Sequence, residues 1–102
     1  MSNIQPARRA LIARILEGKG EAAPELRRAA FANQGLSQPL AALLGKVVTR
    51  PHSVSDSDVA AARASGLSED QVFELVVCAA IGEAARQHDA ALDALDAACA
   101  KE

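Results

Sequence analysis

Four side chains in this sequence have the chemistry to take part in a reaction: His52, Glu74, Cys78 and His88. His52 lies in the stretch Arg50-Pro51-His52-Ser53-Val54. An imidazole there could serve as a general base near neutral pH if Asp56 or Asp58 oriented it. Asp58 has a competing use, because Ser55-x-x-Asp58 has the spacing of a helix-capping box, and that structural role is the preferred reading. Glu74 and Cys78 are four residues apart and share one helical face. A neighbouring carboxylate raises a thiol pKa and does not activate the sulfur. Within the apolar run VFELVVCAAI, Cys78 reads as a small hydrophobe. His88 is the polar member of an otherwise apolar helical seam. It is expected either to hydrogen-bond across a helix interface or to form an acid/base site between subunits with Glu83 or Glu74 of a neighbour. The sequence has no His-x-x-x-His and no Cys-x-x-Cys. No metal set is therefore assigned, and no cofactor is expected.

The elements that must position these residues are all helical. The pattern predicts a first helix from about Ala7 to Glu17, with Leu11, Ile12, Ile15 and Leu16 inward and Arg8, Arg9 and Arg14 towards water. Gly18-Lys19-Gly20 ends it. A second helix begins at Pro24, which a first turn tolerates, and stops before Gly35. A third starts after Ser37 and runs to Pro51, since the residue before a proline is driven out of helical geometry. The fourth, Asp56 to Ser65, is stopped by Gly66. The fifth opens with a second capping pattern, Ser68-x-x-Gln71, and meets no strong stop before Cys99. Unbroken, it would measure roughly 46 Å, against a diameter of about 34 Å for a compact chain of this size. It must bend, split or project. Gly82 is the expected point of bending, or the place where another backbone approaches. Along this helix Cys78, Ile81, Ala85, His88, Leu92, Leu95 and Cys99 follow at intervals of three and four, a heptad-like seam.

Composition agrees with an all-α fold in one domain spanning residues 1–102. Half the residues are hydrophobic, yet 24 are Ala and only Phe31 and Phe73 are aromatic. Ala has high helix propensity and little volume, so the core is expected to be thin and completed by oligomerisation. Net charge is −2, but residues 1–51 carry +5 and residues 52–102 carry −7. Because the cations are spread over three helices, the two halves are expected to face each other within or between subunits. Nucleic acid is not an expected partner. A helix–turn–helix reading would use the fifth helix for recognition, and its Glu69-Asp70 start repels phosphate. Cys78 and Cys99 lie 21 residues apart, roughly 31 Å along one helix, too far for a disulfide within the chain. No run approaches the ~20 apolar residues of a membrane span. The N-terminus lacks the core of a signal peptide. A cytoplasmic location of bacterial type is expected, without membrane association.

The stretch Ala61-Ala62-x-x-x-x-Gly66-Leu67-Ser68-Glu69-Asp70-Gln71-Val72-Phe73-Glu74-Leu75 resembles the carboxymuconolactone decarboxylase and AhpD-like alkylhydroperoxidase superfamily. The likeness covers residues 50–100, about half the chain. It implies a bundle of five or six helices that assembles through them as a dimer, trimer or hexamer, here through the helix at 69–99. Redox members carry Cys-x-x-Cys-x-x-x-His ahead of the glycine. Counting back from Gly66 places those positions on Pro51, Val54 and Asp58. The motif's upstream acidic residue falls near Gln38 or Pro39. None of these residues can attack peroxide, resolve a sulfenic acid or relay the proton. The resemblance therefore implies a divergent member that lacks the Cys-x-x-Cys motif and has no peroxidase activity.

Two readings follow. The first is a non-redox helical oligomer with a structural or partner-binding role. The alternative is a decarboxylase-like enzyme that uses His and carboxylate groups on a small organic acid, with Arg50 as one cation able to hold the substrate carboxylate. Both leave room for a small-molecule ligand.

Overall fold

Local signals set the helix boundaries of this chain. A computed structural model describes residues 4–100. It contains five α-helices and no strand among the described residues: α1 Ile4–Glu17, α2 Pro24–Ala32, α3 Leu40–Thr49, α4 Asp56–Ala64 and α5 Glu69–Ala100. A single 3₁₀ turn, Pro51–Ser53, occupies the connection expected as a loop. Both capping boxes form. The Asp58 amide donates to Ser55 Oγ at 3.3 Å, and the Ser55 amide donates back to Asp58 Oδ2 at 2.9 Å. The same exchange joins Ser68 and Gln71 at 3.1 and 2.8 Å. Each box satisfies donors that a helix start leaves without partners. Gly66, at φ +114°, supplies the backbone geometry that lets the chain leave α4. α2 closes earlier than Gly35, because Asn33 takes the left-handed conformation (φ 54°) and the Gln34 amide donates to the Ala29 carbonyl at 3.1 Å.

The other four helices all pack on α5, and α2 does so most extensively. The core comprises Leu43 and Leu44 of α3, Leu75 and Cys78 of α5, and the alanines Ala30, Ala62 and Ala79. Small residues at these crossings bring the helices close and leave little volume to fill. Arg8 of α1 reaches His88 and Asp89, while Arg14 and Ile15 line a cavity with Val77 and Cys78, so α1 runs antiparallel to α5. α2 follows α5 in the same sense, from Ala22 at Glu74 to Phe31 at Gly82.

α5 does not bend at Gly82. It is continuous over 32 residues, about 48 Å at the helical rise, and it projects: the molecule measures 54 × 29 × 21 Å. Gly82 instead serves the second purpose foreseen for it. A Cβ at this position would overlap the carbonyl oxygen of Phe31. One turn further on, Arg86 Nη1 donates to that same oxygen at 2.7 Å. Two expectations for α1 are corrected. Leu11, placed inward by the pattern, is 48 % exposed. Arg8, placed outward, bridges to α5 instead.

Gly82→Ala is expected to destabilise the fold by about 3 kcal/mol, because backbone rather than a flexible side chain must yield. Gly45, inside α3, has no atom near its missing Cβ. Gly45→Ala should therefore stabilise by about 0.5–1 kcal/mol through helix propensity alone. Urea denaturation of the two variants beside the wild type checks both signs.

Candidate functional site

The positions vacated by the redox motif fall on the 3₁₀ turn and the start of α4. Pro51 and Val54 line an apolar groove of about 760 Å³ with Val47, Val48 and Val76. Asp58 accepts from Lys46 Nζ at 3.1 and 2.9 Å while it caps α4. The Lys46 hydrogen bonds, followed by the Ser55 amide, hold the Asp58 carboxyl below its ordinary range against a smaller effect of burial. This carboxylate ties α3 to α4, with both oxygens engaged by Lys46. His52 itself is exposed.

Glu74 and Cys78 do meet, at one cavity of about 210 Å³ that Arg14, Lys19, Arg27 and Phe73 also line. Glu74 accepts from the Glu21 amide at 2.7 Å and the Ala22 amide at 3.0 Å. Burial would raise its pKa, but the two amides, helped by Arg27, hold it below the usual value. It is an ionised carboxylate engaged by backbone donors. Burial pushes the Cys78 thiol up, with Glu74 adding to the rise and Arg27 opposing it. A protonated, fully buried thiol is neither a nucleophile nor a metal ligand.

His88 lies ten residues, about 15 Å, along α5 from Cys78. Arg8 Nη1 stands 3.0 Å from His88 Nδ1 and also holds Asp89, with 2.6 and 3.1 Å bonds to its two carboxylate oxygens. A guanidinium only donates, so His88 accepts at Nδ1 and carries its proton on Nε2. The Arg8 hydrogen bonds hold the Asp89 carboxyl below its usual range. His88 thus sits at an intrachain helix contact, between α1 and α5.

The residue that sequence reasoning passed over is Arg27. It is 5 % exposed. Its Nε donates to the Ala22 carbonyl at 3.1 Å, and its Nη1 donates to Ile15 and Gly18 at 3.0 and 2.8 Å. These carbonyls belong to the end of α1 and the following loop, where partners are otherwise lacking. A signal was available: Arg27 precedes Ala30 by three residues and so shares the buried face of α2. Glu83 and Gln87, at the rim of the larger groove, are bonded to each other and Glu83 also to Arg86. Among the described residues no group of three His, Cys, Asp or Glu is placed to hold a metal ion. No helix there is long and apolar enough to cross a membrane.

Two measurements follow from this geometry. Asp58 has a folded pKa below its unfolded value of about 3.9. Its contribution to stability is therefore fully present above about pH 4 and is lost as pH falls through the folded pKa. The gap in urea midpoint between wild type and Asp58→Asn should be open at pH 7 and narrow at pH 3. In thiol labelling followed by mass spectrometry, exposed Cys99 should react at once and buried Cys78 only on unfolding. Comparison of the chain with models of known families, with curated proteins and with solved structures finds no match in any of the three.

Proposed function

We propose that this protein is a non-redox helical subunit that acts by self-association and partner binding, of the AhpD-like kind that residues 61–75 resemble. The carrying observation is α5. Its last turns project past the bundle, and from Asp89 to Ala100 every residue but Leu92 is exposed. An amphipathic helix gains most of its stability from tertiary packing. A projecting end with Leu92 and Leu95 on it gains that packing from another chain.

The candidate acid/base groups support the same reading. Asp58, Glu74 and His88 are each engaged in holding two segments of the chain together. Turnover of a small organic acid would fall to the cavity between Arg14, Lys19, Glu74 and Cys78. There the carboxylate faces backbone amides and the thiol is protonated, so no free base faces a substrate.

Light scattering coupled to gel filtration tests the proposal. The full chain should elute at a multiple of its 10.6 kDa mass in the micromolar range. A chain ending at Asp89 should keep its helical circular dichroism and elute as a monomer. A full chain that stays monomeric at every concentration overturns the reading, and so does thiol-dependent peroxidase turnover.

A further inference from the structure

Arg27 is a buried cation with no anion beside it. Among the described residues no carboxylate lies within ion-pair distance of its guanidinium. Charges taken out of water are ordinarily paired. Its Nε and Nη1 are occupied by the carbonyls of Ala22, Ile15 and Gly18, while Nη2 has no hydrogen-bond partner among the described residues. Nη2 is not sealed in either, because no fully buried side-chain nitrogen or oxygen there lacks a partner. It therefore keeps an opening to solvent, and the cavity of about 210 Å³ that Arg27 lines provides one.

The same cavity holds the other parts of an anion site. Arg14 and Lys19 line it, both exposed, and neither makes an ion pair among the described residues. Glu74 is the one carboxylate of the described lining, so three cations leave a charge of +2. Its two oxygens are engaged by the Glu21 and Ala22 amides. The carbonyls at the end of α1 would repel an anion, but Arg27 Nη1 already covers those of Ile15 and Gly18.

Charge and shape narrow the ligand. A phosphoryl group carries about −1.5 to −2 at neutral pH, which matches the residual +2 better than a single carboxylate does. Guanidinium and ammonium groups are its usual donors. Phe73 and Val77 add an apolar wall. Phe73 is 68 % exposed, a large aromatic surface that a short apolar body would cover. The cavity is smaller than the roughly 300–1,000 Å³ of sites for drug-sized molecules, so that body is small.

We infer that the cavity between the end of α1 and the early turns of α5 binds a small phosphate monoester, with its phosphoryl oxygens on Arg27 Nη2, Arg14 and Lys19 and its apolar body against Phe73 and Val77. Every group it uses belongs to one chain, so the inference does not rest on the self-association proposed above.

Phenyl phosphate is the probe, titrated into the full chain at about 0.15 M salt to screen exposed charges and followed by nitrogen–proton NMR. Binding should saturate with a Kd of about 1 mM or tighter. The Arg27 Nε–H signal and the Gly18 and Lys19 amides should shift, and the Lys46 and Asp58 amides should not. Inorganic phosphate lacks the apolar body and benzoate lacks the second charge, so each should bind at least about tenfold more weakly. Arg14→Gln/Lys19→Gln should weaken phenyl phosphate at least about tenfold. Arg9→Gln/Arg50→Gln removes the same charge from exposed positions outside the cavity and should leave affinity within about twofold. Equal weakening by the two double variants overturns the site, and so does a wild-type titration that fails to saturate or that spares Arg27. Benzoate or inorganic phosphate binding as tightly as phenyl phosphate overturns the assignment of a phosphate monoester.

Discussion

The crossing of α2 over α5 at Gly82 is the contact on which the rest of the bundle depends. A helix as short as α2 is marginal on propensity and must be held by tertiary contacts. It is held at both ends by the same neighbour. At its start, Glu74 receives the Glu21 and Ala22 amides, and Gln71 donates to the Glu21 carbonyl. At its finish, the Phe31 carbonyl rests on the bare backbone of Gly82 and accepts from Arg86. The two pins are about 18 Å apart along α5. A side chain at residue 82 would lift the end of α2, draw Ala30 away from the core and strain the Glu74 contacts at the other end.

The close crossing follows from an alanine-rich composition. Ala22, Ala30, Ala62 and Ala79 are all buried, and their small volume is what permits the helices to approach. Hydrophobic stabilisation scales with apolar area removed from water, so a core of alanines contributes less per residue than one of leucines or aromatics. Polar contacts must then supply more of the geometry. Arg27 closes the end of α1, Asp58 with Lys46 joins α3 to α4, and Arg8 with Asp89 joins α1 to α5. The last two are at least partly solvated and contribute direction more than energy.

The parts of this fold legible in the sequence are those specified by neighbours in the chain. Ser55 with Asp58, Ser68 with Gln71, Pro24, Pro51 and Gly66 place helix boundaries because capping and backbone sterics act over three or four residues. Arg27 and Arg8 were not legible in the same way. Each is a long side chain whose partners lie on another element, and hydropathy assigns both to solvent. The seam of α5 shows a different limit. A seven-residue repeat identifies residues that share a face, but says nothing of which helix covers it. With alanine at so many positions of α5, two faces satisfy the repeat: Cys78, Ile81, Ala85 and His88 on one, Phe73, Val77, Ala80 and Ala84 on the other. Only the position of α1 shows that the first is covered and the second is open.

The chemistry-bearing residues read together in the same light. Asp58, Glu74 and His88 have hydrogen-bonding capacity that a catalyst would direct at a substrate, and in this chain each directs it at another part of the backbone or at a partner side chain. A carboxylate that accepts two amides gains geometry and loses basicity, because both effects come from stabilising the charged form. The same bonds that position the helices therefore hold Asp58 and Glu74 in their charged forms. What they leave free is a rigid 32-residue helix with one side buried and the other bare. Fixing α5 within one chain matters to that open side, since the association proposed for it would then cost little conformational entropy. The polar pins along α2 and α1 thus act on α5 twice, by fixing the buried face and by presenting the outer one.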